Sequence, residues 1–256
     1  MIPSKDEIIR SFPSEDVEDV VKIYQWMNVA YTRDIPMFSN FFCKPNIWSY
    51  FIDKFDNKGI TVQADGAYEE CDKKMLAFNI YEGMEMPYVI IKIINKSKFN
   101  KLLHKDYLGA ILGCGVRREK LGDLRVHENY AIVPICSEII HYVSGQLTSV
   151  GKAPVEVVEI TKDDLPKQEF KEEVIIISSL RVDNFVTKLS NTSRTKAIDL
   201  IAAGKVLVEY RKVKDKSQEI KEGQRMTISG IGKFIVGPIN GSTKSGRYRV
   251  IIKKYI

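Results

Sequence analysis

Apolar positions recur at helical spacing in the first quarter of the chain and at strand-like density beyond it. In "SEDVEDVVKIYQWMNVAYT", Val17, Val20, Val21, Tyr24 and Met27 share a helical face, and Ser14 stands where an N-cap would. "NIWSYFIDKFDNKG" predicts a second helix, starting at Asn46 and stopping near Gly59. Trp26 and Trp48 lie on these faces and read as core residues. After residue 72 the pattern changes. "MLAFNIY" and "YVIIKII" are strand-like, rich in β-branched and aromatic residues. "HKDYLGAILG" predicts a helix ending at Gly113, and "DLRVHE" with "YAIVPI" predicts a strand pair around Glu128 and Asn129. "CSEIIHYVSGQL" places Ile139, Ile140 and Val143 on one helical face, and "APVEVVEI" reads as a closing strand. Starting from "YVIIKII", the order β-α-β-β-α-β is that of the ferredoxin-like (split βαβ, RRM-like) fold. Such a fold decides no function, and the aromatic signature of an RNA-recognition sheet is not evident.

A charged stretch with Pro166, "TKDDLPKQEFKEE", follows and predicts a linker. The final section then alternates again. "RVDNFVTKLS" predicts a short helix with Val182, Phe185, Val186 and Leu189 inward. Ser193 can cap a second helix with Ala197, Leu200 and Ile201 buried, and Gly204 supplies the positive φ of its stop. Strands are predicted in "KVLVEY", "RKVKD", "KEGQRMTISG", "GKFIVG" and "RYRVIIKKY". The chain thus reads as α+β in three parts: an N-terminal helical region over 1–72, a ferredoxin-like domain over 73–165 and a third domain over 178–256.

Charge changes this picture. The net charge of +6 hides an asymmetry: residues 178–256 hold 17 Lys and Arg against 6 Asp and Glu, the rest 22 against 27. A basic module on a mildly acidic body points to a polyanion as partner. Arg194 and Lys196 fall in the first turn of the second helix of that module, where cations oppose the helix dipole. A helix start also offers free N–H groups to phosphate, and cations there make sense with a phosphate bound. Arg181 opens the preceding helix, and Lys205 begins the strand after Gly204.

Catalytic signals are sparse. "GAILGCGVRREKLGD" lacks the third glycine of a dinucleotide fingerprint, and there is no phosphate-cradling G-x-x-x-x-G-K, no H-E-x-x-H and no G-x-S-x-G. Arg117, Arg118 and Lys120 in that turn remain candidate phosphate contacts. His104, His127 and His141 are isolated, and the carboxylate pairs Asp163/Asp164 and Glu172/Glu173 read as solvated. Cys43, Cys71, Cys114 and Cys136 are far apart, which suits reduced thiols and argues against a zinc site. No cofactor or metal is expected. No apolar run approaches the roughly 18 to 20 residues of a membrane span, and "MIPSKDEIIR" lacks a signal-peptide core; a cytoplasmic, monomeric protein is expected. "LRVD" at 180–183 is similar to the R-L-D around the catalytic aspartate of pseudouridine synthases, but Asp183 reads instead as a cap or ion-pair partner of its helix.

L-R-V-D-x-F-V at 180–186, S-R-T-K-A at 193–197 and L-I-A-A-G-K-V-L-V at 200–208 resemble the S4-type RNA-binding domain. Where that domain usually has Asn after its V-x-V strand, this chain has Glu209. With "LGCGVRREKLGDL", "VGKAPVEVVEI" and "NGSTKSGRYRV", the chain as a whole is similar to the bacterial YlmH family. The resemblance implies a non-enzymatic protein that binds structured RNA of the large ribosomal subunit, and tRNA, in rescue of stalled translation. With the basic helix starts, this gives an expected RNA site of Arg181, Arg194, Lys196 and Lys205 as central phosphate contacts, with Asp183 among the site residues and Lys244, Arg247 and Arg249, in and after the "NGSTKSGR" loop, as a second set. Two rivals stand beside it: an RNA-modifying enzyme of pseudouridine synthase or methyltransferase type, and a protein-interaction scaffold using the acidic N-terminal section.

Overall fold

The computed structural model describes residues 4–68, 71–167 and 169–255, and the chain divides into two compact units, 1–166 and 167–256. In the first unit, α1 (Lys5–Ile9) is opened by Ser4 and Glu7, which cap each other's backbone N–H groups. Helix α2 (Val17–Arg33) buries Val20, Ile23, Met27 and Ala30, one stripe at helical spacing. Ser14 does not cap it. It starts a 3-10 turn instead, and the buried Asp16 at the helix start takes hydrogen bonds from Lys44 Nζ (2.5 Å) and Asn46 Nδ2 (2.7 Å).

Strand β1 (Met37–Phe38), helix α3 (Pro45–Phe55) and strands β2 (Val62–Asp65) and β3 (Met75–Phe78) follow. They form a three-stranded antiparallel sheet in the order β1-β3-β2, so "MLAF" pairs with the first section and is buried throughout. Next come β4 (Tyr88–Asn95), α4 (His104–Gly113), β5 (Arg125–Val126), β6 (Tyr130–Cys136), α5 (Ile140–Gln146), β7 (Ser149–Val150) and β8 (Ala153–Ile160). Their sheet runs β5-β6-β4-β8-β7, with β4 antiparallel to both neighbours. That is the strand order of a split βαβ, with β7 added at one edge.

Alternation along β4 and β6 separates two faces. Ile91, Ile93, Ala131, Val133 and Ile135 pack with Tyr107 and Ile111 of α4 and Val143 of α5. The opposite face is also covered: Ile90 and Ile132 pack against Ala67, Tyr68 and Cys71, and Tyr68 Oη donates to the Ile132 carbonyl (3.1 Å). The "GCGVRREKLGD" loop is tied to the first section as well. Phe42 N–H donates to the Glu119 carbonyl (2.8 Å), and Lys120 holds both the Asn40 carbonyl (2.7 Å) and Glu138 (2.6 Å). Lys120 is thereby a structural cation rather than an open phosphate contact.

The second unit begins inside the stretch expected to be a linker. Strand β9 (Phe170–Ile177) pairs along its whole length with the last strand, so 170–173 belong to the sheet, and Gln168 of that stretch lies outside the described residues. The first half is ordered too: Asp164 accepts from Thr161 N–H (2.9 Å), and Lys162 pairs with Asp65. After β9 come α6 (Val182–Leu189), α7 (Arg194–Ala202), β10 (Val206–Val208), β11 (Arg211–Lys212), β12 (Arg225–Ile228), β13 (Gly232–Ser242) and β14 (Tyr248–Tyr255). The sheet order is β11-β10-β12-β13-β14-β9, and one core joins Val182, Phe185, Val186, Ala197 and Ile201 to Val206, Met226, Phe234 and Val250. No helix among the described residues is long and apolar enough to cross a membrane.

Candidate nucleic-acid interface

Ser193 caps α7, its Oγ accepting from Lys196 N–H (3.3 Å), and Gly204 takes the left-handed φ of 66° just past the helix end. These two signals set where α7 starts and stops. Arg181 occupies the N-cap position of α6, and Asp183 follows in its first turn, where a carboxylate suits the helix dipole.

Asp183 is fully buried and sits between two arginines. Arg181 approaches with Nε 3.2 Å from Oδ1 and Nη2 3.2 Å from Oδ2. Arg194, from the next helix, places Nε 3.1 Å and Nη2 2.8 Å from Oδ2. Burial by itself would raise the Asp183 pKa, but the hydrogen bonds from Arg194 and Arg181 prevail and hold it below the ordinary carboxylate value. Asp183 therefore cannot face a ligand; it orients the two guanidiniums. Each arginine spends only part of its five-donor fork on the carboxylate. The Arg194 side chain is 60% exposed and that of Arg181 34%, so donors remain for an anion.

Lys196 is exposed two residues beyond Arg194, in the same first turn of α7. Lys205 is exposed at the other end of α7, which nine residues place about 13 Å away along the helix axis. The structure thus brings together Arg181, Asp183 and Arg194, leaves Lys196 in the same first turn of α7 on another face, and sets Lys205 apart. Lys212 shares the Lys205 end, because its side chain runs over Gly204, 3.4 Å from where a Cβ would stand.

A further segment escapes sequence reasoning. Residues 215–219 run along the start of α6: Gln218 and Lys216 carbonyls accept from Val182 (2.9 Å) and Asp183 (3.4 Å) N–H groups, and the Arg181 and Glu219 backbones form an isolated antiparallel β-bridge. The backbone of Lys216 is thereby brought to the first turn of α6, where Asp183 stands. Only the run of lysines in "RKVKDKS" hints at this segment.

Lys244 and Arg247 lie at the tip of the β13–β14 hairpin, closed by the Thr243 N–H to Arg247 carbonyl bond (2.8 Å). Beyond Ile235 this arm has no β12 partner, and Tyr248 at its base pairs with Ile177 at the end of β9. From Ile177 the chain reaches Arg181 in four residues, at most about 14 Å. Arg249 lies opposite Ile176, so the arm leaves the sheet at the end where α6 begins.

Glu209 and Tyr210 form the two-residue turn from β10 to β11, with φ of 47° and 63°. Both left-handed positions are those of a type I′ hairpin, where Asn is favoured. Glu209 meets that conformation with a local bond, its Oε1 accepting from Arg225 N–H.

Among the described residues, no three His, Cys, Asp or Glu side chains gather in a way that could hold a metal. Lys73, half-buried, donates to the Arg118 (3.2 Å) and Leu121 (3.0 Å) carbonyls; partial burial, with Arg118 nearby, lowers its pKa. That lysine braces a loop.

Comparison with known proteins agrees with this layout. Residues 84–164 match the family described as "Putative RNA-binding domain in YlmH", and residues 180–225 match the S4 domain. Ribosome-associated protein quality control protein P2 of Bacillus subtilis (strain 168) is 30% identical over 207 residues, 76% of this chain and 80% of that protein. The structure of the cell division protein ylmH from Streptococcus pneumoniae superposes with a TM-score of 0.51 at 19% identity, over 60% of this chain and 97% of that one, which shows the shared fold. With a basic arginine pair on an S4 domain and a YlmH-type domain before it, the chain belongs to the YlmH family of RNA-binding proteins.

Proposed function

We infer that this protein binds folded RNA of the large ribosomal subunit, together with tRNA, as a non-enzymatic monomer acting in rescue of stalled translation in the cytoplasm. The observation that carries the reading is the Arg181–Asp183–Arg194 cluster, two partly open guanidiniums oriented by one buried carboxylate. Fixed forks of this kind match phosphate geometry and lose little side-chain entropy on binding. Lys196, Lys205 and the Lys244, Arg247 and Arg249 arm extend the contact along a backbone. Shape and phosphate position would dominate, because A-form RNA hides its base edges in a deep groove. The ribosomal step is supported by the name of the Bacillus subtilis relative, a ribosome-associated quality control protein.

Gradient sedimentation of lysate tests the reading. The wild type is expected in the large-subunit fraction at low salt, and R181A/R194A is expected to leave it. A wild type absent from that fraction at low salt overturns the ribosomal assignment. With four to six phosphates neutralised, log K should fall with log salt at a slope of roughly −3 to −5.

A further inference from the structure

The RRM-like sheet of the first unit has no open stacking platform. Ile90 and Ile132 are covered by Ala67, Tyr68 and Cys71, with Tyr88, Tyr130, Ile160 and Leu165 packed around them. Lys92 lies over the Tyr130 ring at 4.1 Å, and Arg125 over Tyr68 at 3.8 Å. The aromatic rings that such a sheet would offer to bases are already engaged.

The most exposed ring described in the same domain lies elsewhere, with Tyr81 and Tyr142 only 60% and 53% exposed. Phe99, in the loop between β4 and α4, is 95% exposed. Its loop is braced by its own side chains. Asn95 Nδ2 donates to the Asn100 carbonyl (2.7 Å), Asn95 Oδ1 accepts from Ser97 N–H (2.9 Å), and Ser97 Oγ accepts from Phe99 (3.3 Å) and Asn100 (3.2 Å) N–H groups. A turn held by four bonds thus presents an apolar ring to water, where the gain from burying it goes unused. The surroundings are cationic: residues 96–105, "KSKFNKLLHK", contain four lysines and no acidic residue. Lys96 pairs with Glu156, whereas Lys98, Lys101 and Lys105 are exposed and have no ion-pair partner among the described residues.

We propose that Phe99 is a stacking site for an unpaired nucleobase, with Lys98 and Lys101 holding the flanking phosphates. An aromatic face stacks any base, and adjacent cations track the backbone, which is the chemistry of single-strand binding. The proposal rests on the RNA-binding reading and adds to it a second, single-stranded contact. An anionic membrane is the weaker occupant: one phenyl ring and a half-exposed Leu103 make too small an apolar surface for anchoring.

The test uses the full chain and two labelled RNAs: oligoadenylate of about 12 nucleotides, within single-strand site sizes, and a fully paired duplex of about 16 base pairs. F99A is expected to weaken oligoadenylate binding by about tenfold, F99W to retain it, and neither to change duplex binding. K98A/K101A should flatten the oligoadenylate salt slope by about 1 to 2. R181A/R194A should lose the duplex and keep the Phe99-dependent oligoadenylate binding. Oligoadenylate affinity of F99A within about twofold of wild type overturns the proposal, as does a wild type that does not bind oligoadenylate. Phe99-dependent sedimentation with phosphatidylglycerol vesicles, without Phe99-dependent RNA binding, also overturns it. Duplex binding indifferent to R181A/R194A would sink the arginine-pair reading while leaving the Phe99 site to stand on its own data.

Discussion

Arg194 Nη2 lies 2.8 Å from Oδ2 of the buried Asp183, eleven residues earlier in the chain. The carboxylate has no exposed surface, so a ligand at this site meets the two arginines and not Asp183 itself. A buried carboxylate flanked by two cations is stable only as a set.

Asp183→Asn keeps the size of the side chain and removes its charge. The variant should lose about 1–3 kcal/mol of stability, the range for breaking a buried charged hydrogen-bond set. RNA affinity should fall about tenfold as the guanidiniums lose their orientation. Urea unfolding and filter binding read the two effects. Unchanged affinity in a destabilised variant would remove the orienting role.

The same carboxylate sets a pH dependence. Its folded pKa lies below the unfolded value of about 3.9, so folding favours the charged form. The resulting stabilisation is fully present above about pH 4 and is lost as pH falls through the folded value. The stability gap between wild type and Asp183→Asn should therefore be constant near neutrality and narrow below about pH 4. A gap independent of pH down to strong acid would mean that charge plays no part.

Arg181→Ala with Arg194→Ala should lower the logarithmic salt slope of RNA binding by about 2, one for each phosphate that is no longer neutralised. Titrations at several salt concentrations measure it. A drop in affinity with an unchanged slope would show that the arginines support the fold without touching phosphate.

Thiol reactivity reports the first unit. Burial pushes the Cys71 and Cys136 thiols up to about 12, and Cys43 higher still. Cys114 is only partly buried, and its pKa is raised by burial as well. Since the thiolate is the reactive species, native protein near neutral pH should be modified slowly, at Cys114 first. All four should react promptly in denaturant. Rapid native labelling of Cys71 would show that the cover over the sheet opens.

Gly66→Ala probes that cover by another route. A Cβ at Gly66 would stand 2.2 Å from the Lys73 carbonyl oxygen and 2.6 Å from Cys71 Sγ. Backbone oxygen cannot move aside as a flexible side chain does, so about 1–3 kcal/mol should be lost, with a lower Tm. Near-wild-type stability would contradict the close packing of this segment.

Much of the architecture is legible in local pattern. The strand and helix order of the ferredoxin-like part, the Ser193 cap, the Gly204 stop and the inward faces of α6 and α7 all follow from periodicity and backbone preference. Other features are not. "FKEE" reads as linker because three charged residues hide strand periodicity on an edge, yet Lys171, Glu172 and Glu173 pair with Lys254, Lys253 and Ile252. Ser14 meets the rule for a cap, but the chain turns first and leaves a buried Asp16 at the helix start, held by Lys44 and Asn46.

The candidate site divides along the same line. The sequence by itself determined which helices carry Arg181, Arg194 and Lys196 and where each helix begins, because caps and stops act within a few residues. Only the tertiary structure decided that Asp183 is buried between two arginines, that the Lys216 backbone reaches the first turn of α6, and that the RRM-like sheet face is closed while Phe99 stays open. Those outcomes depend on contacts between segments distant along the chain, and such contacts are set by packing the whole core, to which local periodicity is blind.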